Sequence, residues 1–448
     1  MRLKSLAIPL AAIGALLQSA PVSAETAARP WTVGTPIVTY VNWNSPSGYD
    51  RSYGWPAGYD PTTLTENAAQ QAVAGGFNLV WINDLSQLPI AERYGLRAQL
   101  VISGHQPQND LFFRPATNWP APASLAAVNA LIDGFKASPA AYSYYIVDEP
   151  NVSYFPQLAT IVAYLRQRDP AHLAYINLFS PDERPQDLGV ADYATYLAQF
   201  IAKVHPALLS FDSYNLWVGR DRRFILGNLQ MFAQAAAQAG IPFMTIVQGC
   251  ACGAPLRLPK PAELNFLVNA SVAFGAQGIS YWNYWTGTGP SAGGVAPFPD
   301  GRPSATFPTF QAINPVYQTL ATRLQGLKWL GTYLKGYGAT SLPPNVKPLP
   351  RNAAFDIPEL ENTLTYADGA PLTGVLLGYF GAANNPTYVF VQNLDYSAGH
   401  TYRVTGPGAL AVLNSKTNVW STGSGNSIAV SLEPGGGALL ALASAAVR

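Results

Sequence analysis

Two adjacent carboxylic residues, Asp148 and Glu149, end a long apolar run and stand directly before Pro150. Proline lacks the N–H that a strand needs, so the strand must stop there. Desolvation at the end of an apolar strand, with a second carboxyl alongside, should raise the pKa of Glu149 and keep it protonated near neutral pH. We therefore predict that Glu149 is a general acid. The alternative is an acidic pair that caps the following helix.

A second carboxylate would be needed as a base or nucleophile, and Asp212 is the leading candidate. Asp212 and Tyr214 are two positions apart on a later apolar run, so on a strand both side chains point to the same face and can line one pocket. A hydrogen-bonded structural carboxylate is an equal alternative for Asp212, and Asp84 is the reserve. Adjacent strand residues face opposite ways, so Asp148 could orient Glu149, contact substrate or cap a helix.

Amide, carboxylate and aromatic side chains stand at one end of seven of the eight apolar, β-rich runs. Planar amides and carboxylates match sugar hydroxyls, and indole faces stack on the C–H faces of pyranose rings. The pattern therefore predicts a carbohydrate partner. Alternatives are a place in the core for each tryptophan and a hydrogen bond to a loop carbonyl for the histidine. The predicted substrate contacts are Trp43, Asn44, Asp84, His105, Asn177, Tyr214, Gln248, Trp282 and Trp285.

The elements that must position these residues alternate between β-rich runs and segments of helical period. This order predicts βα units around a parallel sheet, and eight such units predict a TIM (β/α)₈ barrel with its active site at the C-terminal ends of the strands. A doubly wound sheet is the competitor, but no Gly-rich phosphate loop follows the first strand. The runs are 36–43, 77–84, 97–104, 142–149, 172–179, 207–214, 241–249 and 278–285.

The character of the chain changes after about Leu334. A Pro- and Gly-rich stretch is typical of a linker, and short alternating strands separated by turn residues follow it. We predict an α/β barrel domain over 25–335 and a small all-β antiparallel sandwich over 336–448. The sandwich either braces the barrel, which we favour, or binds glycan.

Residues 1–24 have the pattern of a secretory signal peptide. Arg2 and Lys4 precede an apolar run that is too short for the roughly 20 residues of a membrane span, and Val22-Ser23-Ala24 is a small-x-small cleavage signal. We expect cleavage after Ala24 and a secreted or periplasmic protein with no membrane partner after cleavage. An uncleaved anchor is the alternative.

Composition disfavours several classes of function. The formal net charge is +1, without the concentrated basic patch that nucleic acid or an anionic membrane requires. No H-x-H or H-E-x-x-H spacing occurs, so we expect no metal and no cofactor. The four scattered histidines are His105, His172, His205 and His400.

Three smaller features have structural interpretations that we favour. A bridge between Cys250 and Cys252 would close a small, strained ring, so we expect free thiols by a slight margin. Glu263 stands just inside a predicted helix, where it compensates the helix dipole rather than catalysing. A solvated turn is favoured over contact with an acidic sugar for Arg220, Arg222 and Arg223.

Residues 35–335 resemble bacterial (β/α)₈ glycoside hydrolases of the β-galactosidase-like superfamily. The likeness rests on YYIVDEP, FDSYN, VQG and the segment RLPKPAELNFLVNASVAFGAQGISYWNYW. It implies that Glu149 is the acid/base. Such enzymes place a nucleophilic Glu where this chain has Gln248, and a glutamine cannot take that role. An Asp-Glu pair with a later-strand tyrosine also occurs in barrels that cleave N-acetylhexosaminides by substrate assistance.

The sequence therefore predicts a secreted glycoside hydrolase that acts on a poly- or oligosaccharide, with Glu149 as general acid/base. The rival hypothesis is a non-catalytic glycan-binding barrel in which Gln248 marks a lost nucleophile. Several pocket carboxylates favour the enzyme, because a degenerate site has little reason to keep them. A metal-dependent hydrolase is disfavoured by the scattered histidines.

Overall fold

The structure is a computed structural model, and it describes residues 36–41, 63–101, 122–221, 224–251, 255–282, 284, 303–367, 372–382 and 384–446. Several features of the sequence analysis lie outside those residues. They are the 1–24 segment, Trp43, Asn44, His105, Arg222, Arg223, Cys252 and Trp285.

Eight parallel strands alternate with helices along the first three quarters of the chain. Each strand overlaps its predicted run, and most are buried along their length because helices cover them. The strands are β1 Ile37–Tyr40, β2 Leu79–Ile82, β3 Arg97–Val101, β4 Ala141–Asp148, β5 Leu173–Asn177, β6 Leu209–Asp212, β7 Phe243–Gln248 and β8 Gly278–Trp282.

The strands close into a barrel. Two four-stranded parallel sheets have the orders β2-β3-β4-β5 and β1-β8-β7-β6. At one seam the Leu178 N–H donates to the Ser210 carbonyl at 2.9 Å, which joins β5 to β6. At the other seam the Asn78 N–H donates to the Val38 carbonyl at 3.1 Å, and the Asn78 side-chain oxygen accepts from the Val38 N–H at 2.9 Å. The predicted TIM barrel is confirmed.

Helices cover the outside of the barrel and begin and end at recognisable signals. Thr65 caps the first helix through its side chain, and Gly240, in the left-handed conformation, ends the helix that precedes β7. No helix in the described part of the chain is long and apolar enough to cross a membrane. The helices are α1 Glu66–Ala74, α2 Leu88–Arg93, α3 Pro122–Lys136, α4 Phe155–Arg168, α5 Pro185–Leu188, α6 Tyr193–Val204, α7 Ile225–Ala239, α8 Pro261–Ala273, α9 Phe307–Leu324 and α10 Ala443–Ala446.

The C-terminal region is an antiparallel β-sandwich, as predicted. Its large sheet has the order β9-β10-β11-β16-β13-β14, and β12 pairs with β15 in the second layer. Apolar side chains of the large sheet, such as Leu377 and Val389, pack against Val404 and Val430 of the small one. The strands are β9 Lys328–Lys335, β10 Val375–Gly381, β11 Tyr388–Asn393, β12 His400–Thr405, β13 Leu410–Asn414, β14 Val419–Thr422, β15 Ser427–Leu432 and β16 Gly437–Leu442.

The sandwich takes in residues on both sides of the predicted boundary at 335. Strand β9 belongs to the large sheet and pairs antiparallel with β10. The Pro- and Gly-rich stretch after it is also paired, because Lys347–Pro348 lies alongside β9. The segment predicted to be a linker therefore forms an edge of the sheet.

The second face of the large sheet packs on helix α8 of the barrel. The Thr332 hydroxyl donates to the Ala273 carbonyl at 2.7 Å, and the Gln392 amide donates to the Phe266 carbonyl at 2.8 Å. A Cβ added to Gly378 would lie only 2.1 Å from the Ala273 carbonyl oxygen, so only glycine permits this close approach. The contacts support a bracing role for the sandwich.

Cys250 is disulfide-bonded, which corrects the expectation of free thiols.

Candidate active site

A β-bulge in β4 decides which side chains face the inside of the barrel. Its register with β5 runs from Tyr145 opposite Tyr175 to Val147 opposite Ile176, so Ile146 is the extra residue. A bulge of this kind re-aims the side chains beyond it. Before the bulge the Tyr145 ring faces inward, and beyond it Asp148 also faces inward. The simple alternation expected for this strand therefore does not hold.

The backbone of Glu149 has a φ of +45°, which is the left-handed region. Such a conformation costs a non-glycine residue roughly 1–3 kcal/mol and is concentrated at functional sites. It is held by a hydrogen bond from the Glu149 N–H to the Asn177 carbonyl at 2.9 Å. The turn brings the Glu149 carboxyl into hydrogen-bond contact with Asp212. The bulge and the turn together direct two consecutive carboxyls to one place.

Asn177 joins two of the carboxylates. Its Nδ2 donates to Asp148 Oδ1 and to Asp212 Oδ1, both at 3.0 Å. The orientation of the amide is fixed from behind, because the Ser210 hydroxyl donates to Asn177 Oδ1 at 3.1 Å and in turn contacts the Tyr175 hydroxyl at 2.8 Å. Asn177 therefore holds Asp148 and Asp212 on one side of the site.

Burial raises the pKa of all three carboxyls. The pKa of Glu149 rises furthest, through desolvation and then through the charges of Asp212 and Asp148. Desolvation also raises the pKa of Asp148 and of Asp212, which is only 7% exposed. Among the described residues no lysine or arginine forms an ion pair with them. The group therefore holds protons at neutral pH, and the proton shared by Glu149 and Asp212 resides on Glu149.

Aromatic residues surround the carboxyl group on two sides. The rings of Tyr214 and Trp282, both half-buried, lie 6.4 Å apart at 35°. Burial, and then the charge of Asp212, raises the pKa of the Tyr214 hydroxyl, so this residue lies close to the carboxylates. Below them the Tyr145 hydroxyl is buried without a hydrogen-bond partner among the described residues. The structure therefore brings Asn177, Tyr214 and Trp282 together with the carboxyls.

Gln248 does not have the role that its position at a strand end predicted. It is fully buried, and its Oε1 accepts from the Leu216 N–H at 2.9 Å. Its Nε2 donates to the carbonyls of Leu216 at 3.0 Å and Arg257 at 2.8 Å. Both amide hydrogens and one lone pair of Oε1 are used by backbone groups, so the buried Gln248 is a structural residue rather than a substrate contact.

Asp84 and Glu263 are helix-capping residues. Asp84 is exposed, and its Oδ1 accepts from the Ser86 N–H at 2.7 Å at the start of a 3₁₀ turn. Hydrogen bonds from the Ser86 side chain and then from its N–H lower the pKa of Asp84. This local role argues against Asp84 as the reserve catalytic carboxylate. Glu263 lies in the first turn of α8, where its carboxylate accepts from the Lys260 N–H at 2.7 Å. The predicted helix-terminal role of Glu263 is confirmed.

Sequence reasoning missed two acidic residues near the site, Asp182 and Glu183. The charge of Glu183 contributes to the raised pKa of Glu149, and that of Asp182 to the raised pKa of Asp212. They follow the end of β5 within the short stretch SPDER. The signal was present, because the loops after barrel strands build the active-site face of a TIM barrel.

No family model matches this chain, and no curated protein matches it in sequence. Solved glycoside hydrolases are similar to it. The β-galactosidase from the psychrophilic Marinomonas ef1 is 10% identical with a TM-score of 0.39, covering 56% of this chain and 57% of that one. This chain thus spans less than two thirds of that protein.

Two other similar structures are matched over nearly their whole length. One is α-galactosidase I from Mortierella vinacea, which is 10% identical with a TM-score of 0.47, covering 92% of this chain and 98% of that one. The other is a β-L-arabinopyranosidase from Geobacillus stearothermophilus, which is 10% identical with a TM-score of 0.46, covering 91% of this chain and 97% of that one. At this identity and TM-score the likenesses carry no functional argument, and the substrates in those names are properties of those proteins.

Proposed function

We propose that this chain is an exported glycoside hydrolase in which Glu149 is the general acid. One observation carries the proposal: a half-buried carboxyl with a raised pKa is aimed by a left-handed backbone turn at the carboxyl end of a barrel strand. A general acid must be protonated at the working pH, and desolvation beside two further carboxyls achieves this. The half-buried rings of Tyr214 and Trp282 offer faces for a sugar.

The proposed step begins with the proton that Glu149 shares with Asp212. In the bound state the glycosidic oxygen competes with Asp212 as the acceptor of this proton. As the bond from the anomeric carbon to that oxygen breaks, the carbonyl oxygen of a substrate 2-acetamido group bonds to the anomeric carbon, the proton moves to the leaving oxygen and Glu149 becomes a carboxylate. Water then attacks the anomeric carbon and gives a proton to Glu149, and the 2-acetamido group is released. Asn177, by holding Asp148 and Asp212 in place, keeps the acceptor side of the site fixed during the transfer.

The contact between Glu149 and Asp212 bears on the second half of the mechanism. Two-carboxylate glycosidases keep the two groups about 5–5.5 Å apart when they retain, and roughly 6.5–9.5 Å apart when they invert. Asp212 interacts with Glu149 closely enough to raise the pKa of Glu149, which suits a pair of carboxyls that shares a proton. We therefore propose Asp212 as the partner of the proton rather than as the nucleophile. Substrate assistance by a 2-acetamido group, which needs no enzymic nucleophile, is the route that we propose.

The test is hydrolysis of matched aryl glycosides and polysaccharides, with and without a 2-acetamido group, by the wild type and by Glu149→Gln. We expect the substitution to lower kcat by about 10²- to 10⁴-fold with folding unchanged, because the amide keeps the shape and loses the proton. Asp84→Asn, at an exposed carboxylate beyond another strand, is the matched control and should retain activity. Full activity in Glu149→Gln would overturn the proposal.

Two further outcomes separate the remaining alternatives. Cleavage restricted to 2-acetamido substrates supports substrate assistance, whereas equal cleavage of plain hexosides requires another nucleophile. A wild type that cleaves nothing and yet is retained on a glycan column would be the non-catalytic binding barrel. Export is a separate proposal that rests on the pattern of residues 1–24, and a mature protein beginning at Glu25 after secretion would support it.

A further inference from the structure

The chain that follows Asp212 and Tyr214 forms a short hairpin, in which Leu216–Trp217 pairs with Arg220–Asp221. We call it the 216–221 hairpin. Its tip exposes Val218 (70%), and the Arg220 guanidinium lies 5.9 Å from the centre of the Trp217 ring. The Trp217 Nε1 donates to the Tyr214 carbonyl at 3.2 Å, which ties the hairpin to the site. The hairpin therefore forms a wall directly after the site residues Asp212 and Tyr214, and the Trp217 indole is part of that wall.

The hairpin is held on one side by the segment that follows β7. The Val218 N–H donates to the Pro255 carbonyl at 2.8 Å, and the Arg257 N–H donates to the Leu216 carbonyl at 2.9 Å. Gln248 holds Leu216 and Arg257 together through the three hydrogen bonds described above. All of these contacts lie within the barrel.

The hairpin is held on its other side by the C-terminal sandwich. The Tyr396 hydroxyl, in the segment between β11 and β12, donates to Asp221 Oδ2, and Asp221 Oδ1 accepts from Arg257 Nη2 at 2.7 Å. Arg257 Nη1 donates to Glu263 Oε2 at 2.7 Å, which continues the chain of contacts to α8. The Tyr396 ring also packs edge-on against Phe266 of α8, with centroids 5.6 Å apart.

The sandwich segment that carries Tyr396 is itself tightly built. The fully buried Asn393 donates from Nδ2 to the Ala398 carbonyl at 2.8 Å. Asp395 Oδ1 accepts from the N–H groups of Ser397 at 2.8 Å and Ala398 at 3.1 Å. A turn closed in this way on both sides of Tyr396 presents a fixed hydroxyl rather than an adaptable one.

We propose that Tyr396 is a positioning residue, through which the C-terminal sandwich fixes the 216–221 hairpin and its Trp217 as a sugar-binding wall of the barrel site. The sandwich then contributes to substrate affinity without touching the glycan. The substrate part of this inference rests on the proposed function, whereas the mechanical coupling does not. The two are therefore tested by separate measurements.

The first measurement needs no substrate. Amide hydrogen exchange in the full chain is compared between Tyr396→Phe and Tyr388→Phe, which removes a similar hydroxyl donor to the Ala445 carbonyl, 2.7 Å away within the sandwich. We expect exchange at the amides of Leu216, Val218 and Arg257 to rise about tenfold in Tyr396→Phe, because a hydrogen bond to a charged group is lost. The control should leave these amides unchanged. Equal exchange in both variants would overturn the coupling, whether or not the chain is an enzyme.

The second measurement is the effect on KM and kcat. Tyr396→Phe should raise KM for oligosaccharides several-fold at nearly constant kcat, and leave KM for a short aryl glycoside unchanged, because only the longer substrate reaches Trp217. A general loss of folding would lower the active fraction for both substrates alike. Faster exchange at the hairpin with unchanged KM for long substrates would overturn the substrate part and leave the proposed hydrolysis intact.

Discussion

Two groups of carboxylates lie at the same end of the barrel, and they differ in whether a cation compensates their charge. In the site, the Asn177 amide joins Asp148 and Asp212, and Glu149 lies beside Asp212, without an ion pair to lysine or arginine among the described residues. In the second group, Asp221 and Glu263 share the guanidinium of Arg257, at 2.7 Å each. Carboxylates of similar burial and similar type therefore occur both with and without a cation that compensates their charge.

The electrostatic consequences run in opposite directions. Although burial alone would lower the pKa of Arg257, the hydrogen bonds that it donates to Glu263 and Asp221 raise it, so the guanidinium stays charged. Burial raises the pKa of the three site carboxyls, so that group is protonated in part. Compensated carboxylates of this kind hold the fold together. Uncompensated ones destabilise it, and a fold keeps such groups where their perturbed pKa values serve a function.

The largest effect on folding should come from removing the shared cation. Arg257→Met keeps most of the side-chain volume and leaves Asp221 and Glu263 without their shared cation, so we expect the free energy of unfolding to fall by about 3 kcal/mol. Denaturant unfolding measures it. Arg184→Met is the control, because Arg184 is 68% exposed and its ion pair with Asp187 should contribute less than about 1 kcal/mol. Equal losses of unfolding free energy in the two variants would contradict the view that the shared cation stabilises the fold more than an exposed ion pair does.

Removal of a site carboxylate should have the opposite effect and raise the free energy of unfolding. Asp148→Asn keeps an acceptor for Asn177 Nδ2 and removes a charge whose burial is unfavourable. The folded-state pKa of Asp148 lies above its unfolded value, near 3.9, so its contribution to stability is present below pH 4 and is lost as the pH rises through the raised pKa. We expect the variant to be more stable than wild type by about 1 kcal/mol at pH 8, with the difference vanishing at acid pH.

A carboxylate with the reverse shift provides the matched comparison. Hydrogen bonds from His172 and Tyr144 outweigh burial and lower the pKa of Asp169. Its contribution to stability is therefore present above the unfolded pKa and is lost as the pH falls. Asp169→Asn should be less stable than wild type at pH 8. If Asp148→Asn and Asp169→Asn shift the free energy of unfolding in the same direction, compensation does not distinguish the two kinds of carboxyl.

The sequence predicts the barrel well because its signals are local. Strands covered on both faces are apolar runs, and their alternation with helical segments defines the fold class. Strand β9 was missed for a physical reason. It follows α9 directly, precedes a Pro- and Gly-rich stretch, and is a strand only because β10 pairs with it from about 40 residues further along the chain.

Polarity at strand ends predicts several residues that the structure brings together, namely Asp148, Glu149, Asn177, Asp212 and Tyr214, but it does not predict what the backbone decides. Nothing local predicts that Ile146 is bulged or that Glu149 adopts a positive φ, since both result from the pairing of β4 with β5. Gln248 shows the converse error. An amide at a strand end can serve a sugar or a neighbouring backbone, and the choice depends on the hairpin folded over it.

The pH dependence of activity sharpens the comparison further. Glu149 must be protonated to act, so activity should fall as the pH rises through its pKa. Because the Asp212 charge raises that pKa more than the Asp148 charge, and Asp148 more than Glu183, neutral variants should move the alkaline limb to lower pH in this order. We expect about one pH unit for Asp212→Asn and progressively less for Asp148→Asn and Glu183→Gln. If the alkaline limb of the pH profile stays at the same pH in all three variants, that limb reports the titration of another group.

The smallest effect concerns the backbone of Glu149, which shares its left-handed conformation with His205 at the end of α6. His205 is exposed and remote in role from the site, so glycine there should relieve the conformational cost and raise the free energy of unfolding by about 0.5–1 kcal/mol at constant activity. Asn418→Gly is the control, because asparagine tolerates this region and its side chain accepts from Arg323 at 2.8 Å, so little gain is expected. Glu149→Gly should gain at least as much as His205→Gly and lose its activity. Equal stability of wild type and His205→Gly would remove the evidence that this conformation is costly, and Glu149 would then be aimed by its turn without strain.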